Sequence, residues 1–316
     1  MMALESWSFF KEAGDTEPPE LLTEETETVK RNLDLLAEEK ALLSRRRVLQ
    51  LSELAALLSL PEYAPFREEL SDFTETILCG DSSSEDTVLF ARELVRRGFP
   101  LSRTGHADDL FGNGEPISQK ASDRVAYLRS RVTDDAFRLL TAHLENPKAA
   151  YFSSFSDVCE EVYHGLCEYC ILPIESSDNG KLLSFYTLIE KFELRIVAVT
   201  DLDGAGPSYT RYALLRHKYV SPDLIGLSSE ARYAEFALEL SEHVSLTDVL
   251  SAAEFLGLKV SRADSMPIPE RRDLYRYGLV FLLPSDGDPL PSLEAFLLYL
   301  SLSLPEYIPL GIYTKI

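Results

Sequence analysis

The chain has 316 residues, enough for two or three domains that each bury their own core. Its 31 Lys plus Arg against 52 Asp plus Glu give a net charge of −21, a field that repels phosphate backbones and argues against nucleic acid as a partner. The hydrophobic fraction of 45% is that of a globular protein, no apolar run reaches the roughly 18 to 20 residues of a membrane span, and Met1-Met2-Ala3-Leu4-Glu5-Ser6-Trp7 lacks the basic and apolar regions of a secretory signal, so a cytoplasmic protein without membrane contact is expected.

From about Leu21 to Pro100 the pattern is helical and charged. Val29, Leu33, Leu36 and Ala37 recur at the spacing of one helix face, continued by Leu42, Leu43, Leu49 and Leu51 to a stop at Pro61. Arg45, Arg46 and Arg47 are consecutive, so they fan around the helix and read as a solvated basic patch. Shorter helices are expected near 64–78 and 84–97, and the stretch 102–122, with Gly105, Gly112, Gly114 and Pro116, reads as a linker.

Between Asp123 and Tyr219 strands and helices alternate. Strands are expected at Val125 to Leu128, Ala149 to Phe152, Tyr169 to Leu172 and Leu194 to Val199; helices at Thr133 to Leu144, Phe155 to Val162 and Leu182 to Phe192. This order predicts a mainly parallel sheet with helices on its faces and ligands bound beyond the carboxyl ends of strands, where Pro173 to Gly180 falls. Cys159, Cys167 and Cys170 with His164 hold a single Cys-x-x-Cys and no second pair, so they read as small core residues and not as a zinc site.

The last region, 231–316, has the order β-α-β-β-α-β, which is ferredoxin-like. Ala234, Phe236, Leu238 and Leu240 alternate with Glu235, Ala237 and Glu239 as in a half-buried strand. Ser245 and Asp248 are placed to cap the helix that carries Leu246, Val249, Leu250, Ala253 and Leu256. Strands at Leu258 to Ala263 and Leu274 to Leu283, a helix through Leu293, Phe296, Leu297 and Leu300, and a strand at Tyr307 to Tyr313 complete it.

Leu172-Pro173-Ile174-Glu175-Ser176-Ser177-Asp178-Asn179-Gly180 and Tyr209-Thr210-Arg211-Tyr212 resemble the Pro-Ile-Glu-Asn-Ser-x-x-Gly and Thr-Arg-Phe signatures of prephenate dehydratase. Arg124 to Leu128 and Ser154 to Val158 occupy the places of that family's opening strand and Ser-Phe-x-x-Val helix start. Residues 231–316 look like the ACT domain that follows its catalytic domain, and the N-terminal helices stand where bifunctional members carry a chorismate mutase. The departures are specific. Arg129-Ser130-Arg131-Val132 replaces a glycine-rich turn, and bulky side chains there obstruct approach of backbone N–H groups to a carboxylate. Ser176 replaces an asparagine, and Tyr212 a phenylalanine. Only one helix, one strand and a glycine loop separate the two signatures, where the family has a whole second lobe, so the site is expected to be an open shelf. Val244-Ser245-Leu246 and Asp264-Ser265-Met266-Pro267 stand for the family's Gly-Ala-Leu and Glu-Ser-Arg-Pro, with backbone access lost at Val244 and a cation lost at Met266.

The fold expected is therefore α+β and multidomain: a helical region and linker at 1–122, a truncated α/β lobe with a mainly parallel sheet at 123–222, and a ferredoxin-like ACT domain at 230–316. The resemblance implies Thr210, Arg211 and Glu175 as catalytic residues if the site is active, Ser176 and Ser177 as substrate-binding, and Ser245, Leu246, Asp264 and Ser265 as effector-binding for phenylalanine or a related small molecule. It implies no metal and no cofactor. With one lobe gone, Thr210 has nothing opposite it to place a substrate, and the expectation is a degenerate, non-catalytic sensing or interaction module that dimerises through its ACT-like sheet. The alternative is an active dehydratase whose cleft is completed by the N-terminal helices or by a partner subunit.

Overall fold

The computed structural model describes residues 20–60, 84–98, 124–203, 208–217, 231–240, 244–268, 271–283, 290–304 and 306–316. The expected helix near 64–78 and linker at 102–122 lie outside them. The chain divides into two compact units after Gln50. In the first, helix α1 (Glu20–Ser59, whose last turns belong to the second unit) displays Val29, Leu33, Leu36, Leu42, Leu43 and Leu49 to solvent, and Arg45, Arg46 and Arg47 are exposed as well.

The second unit continues with α2 (Ser84–Arg96), β1 (Arg124–Leu128), α3 (Arg131–Leu140), β2 (Lys148–Phe152), α4 (Phe155–Tyr163), β3 (Tyr169–Ser176) and β4 (Gly180–Lys181). Then come α5 (Leu183–Lys191), β5 (Arg195–Asp203), β6 (Tyr209–Arg216), β7 (Arg232–Glu239), α6 (Leu246–Phe255), β8 (Lys259–Ile268), β9 (Arg271–Leu283), α7 (Leu290–Ser303) and β10 (Glu306–Lys315). The helix starts follow local chemistry. Ser130 caps α3 in a box with Thr133, Ser154 caps α4 by accepting from the Asp157 N–H, and Ser245 caps α6 in a box with Asp248.

The ten strands among the described residues form one mixed sheet in the order β2-β1-β3-β6-β5-β10-β7-β9-β8, with β4 paired to β3. This corrects the expectation of a mainly parallel sheet in the first part. β1 is parallel to β2 and β3, but β6 lies antiparallel between β3 and β5: β5 and β6 follow one another closely in sequence, a separation too short for a parallel crossover. Strands β10-β7-β9-β8 are the fourth, first, third and second of the β-α-β-β-α-β unit, all antiparallel. β10 then pairs in parallel with β5, which makes the two parts of the chain one sheet.

Three cores follow from this layering. α3 packs on one face of the first part through Ala136 and Leu140, against Tyr127, Ile171 and Leu214. α4 and α5 cover the other face through Val158, Val162 and Ile189, and the same core takes in Ala237, Leu310 and Tyr313 from the last four strands. The opposite face of those strands, with Phe236 and Phe281, is covered by α6, α7, α2 and the end of α1. β7 is therefore buried on both faces and not half-buried: its alternate residues Glu235 and Ala237 are enclosed like Phe236. Cys159, Cys167 and Cys170 are buried free thiols, and burial raises the Cys170 thiol well above its ordinary value, which keeps it a neutral core group.

The joint between β5 and β10 requires glycine at one place. Gly311 has φ 148°, and a Cβ there would stand 2.3 Å from the Ile196 carbonyl oxygen and 2.8 Å from its nitrogen. Gly311→Ala is expected to destabilise the protein by about 3 kcal/mol, the upper end of what overpacking costs. A lowered midpoint in urea denaturation, followed by circular dichroism, checks it.

Candidate functional site

Two rows of side chains face each other across the curled sheet. One runs over β3, β6 and β5, where Glu175 is opposite Arg211 and Arg211 opposite Asp201. The other runs over β8, β9 and β7, where Arg262 is opposite Val280 and Val280 opposite Glu235. In a flat sheet, six strand spacings of about 4.8 Å would hold β3 and β8 roughly 29 Å apart. Instead Arg262 Nη1 donates to Glu175 Oε1 at 2.6 Å. The sheet has curled until its far strand meets its middle, and the gap is spanned by side chains, because β8 and β3 share no ladder.

Inside the curl is a cavity of about 280 Å³. Ile174, Val199, Tyr233 and Val280 supply apolar wall, with Glu175, Arg211, Arg262, Lys181, Glu235 and Lys315 among the charged groups. A bulge between Pro173 and Glu175 lets the neighbours Ile174 and Glu175 both face inward, which plain alternation forbids.

The charges form one alternating chain. Lys315 meets Asp201 at 2.7 Å, and Asp201 takes a two-pronged contact from Arg211, Nε to Oδ1 at 2.7 Å and Nη2 to Oδ2 at 3.0 Å. Arg211 Nη1 donates to Glu175 at 3.0 Å, Glu175 meets Arg262, and Arg262 Nε lies 2.8 Å from Asp264. Lys181 is 3.6 Å from Asp264 and donates to Glu235. The Tyr186 and Tyr313 hydroxyls donate to Glu235 at 3.1 and 2.9 Å. Four cations thus alternate with four carboxylates, and the set is neutral.

Proton affinities follow the pairing. Burial alone would raise the Glu235 carboxyl, but the Lys181 charge and hydrogen bonds from Lys181, Tyr313 and Tyr186 outweigh it and hold the group below its ordinary value of 4.5. Asp201 behaves alike: burial works upward, hydrogen bonds from Arg211 and Lys315 win, and the carboxyl sits below 3.8. Burial, then the Glu235 charge, pushes the Tyr186 and Tyr313 hydroxyls well above their ordinary range, so both remain donors.

The structure thus brings Glu175 and Arg211 together and places Asp264 beside Arg262. Thr210 is paired with Ser176 across β3 and β6, one residue out of phase with Glu175 and Arg211, so both belong to the sheet face turned from the cavity. Ser176 Oγ accepts from the Asn179 N–H and Ser177 Oγ from the Tyr209 N–H, both at 3.1 Å, so each secures the β3 turn. Ser245 is the exposed cap of α6, Leu246 packs on the core beneath that helix, and Ser265 lies opposite Tyr277 in the β8–β9 ladder. None of these lines the cavity. At the expected glycine-turn position, Ser130 caps α3 and the Arg129 guanidinium sits over the Tyr151 ring at 4.9 Å.

The open shelf is a second correction. Strands β7 to β10 form the opposing wall, because β10 joins β5 and brings β8 over Glu175. Lys181, Asp201, Glu235, Arg262, Lys315 and the Tyr209 hydroxyl, which donates to Glu175 at 3.1 Å, are site residues that sequence reasoning passed over. Arg262 and Asp264 carried a signal: opposite charges two apart on a strand share a face.

No protein-family profile and no curated protein sequence matches the chain. Among solved structures it is similar to prephenate dehydratase from Streptococcus mutans, with a TM-score of 0.48 and 20% identity over 61% of this chain and 99% of that one. It is also similar to GqqA, described as a novel type of quorum quenching acylase, at a TM-score of 0.46 and 16% identity over 61% of this chain and 95% of that one. A third is the prephenate dehydratase of Arthrobacter aurescens in complex with L-Phe, at a TM-score of 0.45 and 13% identity over 60% of this chain and 90% of that one.

Breaking the charge chain is expected to be costly. Glu235→Gln leaves Lys181 buried and facing an amide, a loss of about 3–5 kcal/mol, whereas Arg138→Gln, at the exposed pair with Asp135, changes stability by no more than about 0.5 kcal/mol. Urea denaturation of both variants measures the contrast. Because the folded Glu235 and Asp201 carboxyls lie below 4.5 and 3.8, the stability they contribute is complete above those values and is lost as pH falls through the folded ones. Thermal unfolding is therefore expected to be level from pH 7 to about pH 5 and to fall steeply below about pH 4.5.

Proposed function

We infer that the chain is a non-catalytic relative of prephenate dehydratase that acts as a metabolite-sensing or interaction module. The observation that carries this reading is the occupancy of Arg211. Its guanidinium is held by both oxygens of Asp201 and by Glu175, which leaves it no fork for a substrate carboxylate. Prephenate is a dicarboxylate, and a neutral, self-paired cavity offers it no net cation. Thr210 stands on the other face of β6 from Arg211, so the two cannot address one substrate in the cavity.

The remaining parts of this reading rest on the sequence resemblance. Residues 230–316 serve as an ACT-like domain whose sheet mediates a homodimer, with Ser245, Leu246, Asp264 and Ser265 at its effector position, and the protein works in the cytoplasm. Among the described residues no helix is long and apolar enough to cross a membrane.

A second reading, an active dehydratase, is favoured by one observation. The cavity does have an opposing wall, with Arg262 brought to Glu175 by the same chain. Incubation of the purified protein with prephenate decides between them. The expected result is no phenylpyruvate above the uncatalysed rate; turnover that disappears in Thr210→Ala overturns the non-catalytic reading.

A further inference from the structure

We propose that the first unit is an interaction surface for a second copy of this chain: α1 pairs antiparallel with its counterpart through the row Val29, Leu36 and Leu43. The pairing goes beyond the sensing reading and uses a different surface from the ACT-like sheet. Most helical stability in proteins comes from packing an apolar face, and a helix left bare in water is marginal. From 27 to 50, every residue of α1 except Val48 is exposed. Val29, Leu33, Leu35, Leu36, Leu42, Leu43 and Leu49 are all 55–65% exposed, seven of the 21 positions from 29 to 49. Single exposed leucines are ordinary, but so dense a set on one helix is an apolar patch of the kind that marks an interface.

Spacing selects a helix as the occupant. Val29, Leu36 and Leu43 are seven residues apart, two turns of helix, so they make a seam that another helix can follow. Leu33, four after Val29 and three before Leu36, lies on the same face. Leu35, Leu42 and Leu49 repeat the seven-residue period one position earlier, about 100° round the helix, and widen the apolar surface beside the seam.

Charge selects a second copy and its direction. Glu25 and Arg47 extend the seam, so along α1 it reads Glu25, Val29, Leu36, Leu43, Arg47, with spacings of four, seven, seven and four. The order is the same from either end, apart from the sign of the charge. An antiparallel copy therefore sets Leu36 against Leu36 of the second copy, Val29 against Leu43 and Glu25 against Arg47. A parallel copy sets Arg47 against Arg47 and Glu25 against Glu25. The helix as a whole has the same polarity: residues 20–39 carry seven Asp or Glu and two Lys or Arg, whereas 40–50 carry four Lys or Arg and no acid. Unlike ends attract and like ends repel, so charge fixes the direction while the apolar row supplies the contact. An unrelated partner needs this mirrored pattern by coincidence; a second copy of the chain already has it.

Disulfide trapping on the full chain tests this. Val29→Cys and Leu43→Cys are made as separate proteins, and each alone, their equimolar mixture and the unmodified chain, which has four cysteines of its own, are exposed to oxidised glutathione. A covalent dimer beyond that of the unmodified chain is expected in the mixture and in neither variant alone, because only an antiparallel pair sets 29 against 43. It is expected to be lost when Leu36→Glu is added to both chains, with the circular dichroism of the strands unchanged. If the chains carrying Leu36→Glu fail to fold, the mixture against the separate variants decides. The proposal is overturned by no covalent dimer in the mixture, by as much of it in either variant alone, or by its persistence in folded chains carrying Leu36→Glu. A monomer, or a dimer held only by the ACT-like sheet, gives the first of these results. Prephenate turnover bears on the function proposed above and leaves this pairing untouched.

Discussion

A charged side chain is tolerated inside a protein only where an opposite charge meets it with good geometry, because desolvation otherwise exceeds what Coulomb attraction returns. The interior between β3 and β8 depends on that condition being met along a whole chain of groups. Glu235 at 2% exposure and Glu175 at 4% are buried as deeply as the aliphatic core, and each is reached by a cation from a different strand. Arg262 and Lys181 close a gap that no ladder spans, so the curl of the sheet and the neutrality of the cavity are one constraint seen twice.

The same pairing governs what chemistry the site supports. An arginine that binds a substrate carboxylate must keep its donors pointed at an empty place; Arg211 has Asp201 directly opposite it in the β5–β6 ladder and Glu175 opposite it in β3. Ladder register, and not a loop, sets these three residues opposite one another. Parity along β6 adds to it. Thr210 and Arg211 are adjacent in sequence and therefore on opposite faces, and only the arginine shares the cavity with Glu175.

Much of the element order was legible because periodicity reports burial. Alternation and helical stripes foretold β1 to β3, α4 and the β-α-β-β-α-β order, and the Ser245–Asp248 box marks the start of α6 to the residue. Partner choice was not legible, since a strand's own residues say which face is apolar but not which strand lies beside it or in which direction. Hence the antiparallel place of β6 between β3 and β5 was not foreseen, and the β5–β10 pairing, which closes the shelf, was missed. Glu235 shows the limit most clearly. A glutamate at every second position reads as a solvated face, and only the tertiary arrangement reveals that Lys181, Tyr186 and Tyr313 take the place of water. Arg211 and Glu175 were found by motif, yet the motif did not disclose that they bind each other.

The pairing of β10 with β5 also sets how the protein assembles. Thr200 reaches the Ile316 carbonyl across 116 positions of sequence, so the sheet is completed by one of its most distant contacts, and loop closure of that span must come before any ladder bond rewards it. Until β10 docks, β5 and β7 are both bare edges, each with a row of unpaired N–H and C=O groups that would template pairing with another chain. A single strand thus protects two edges at once, and a chain in which it is not yet docked exposes both to pairing with another chain.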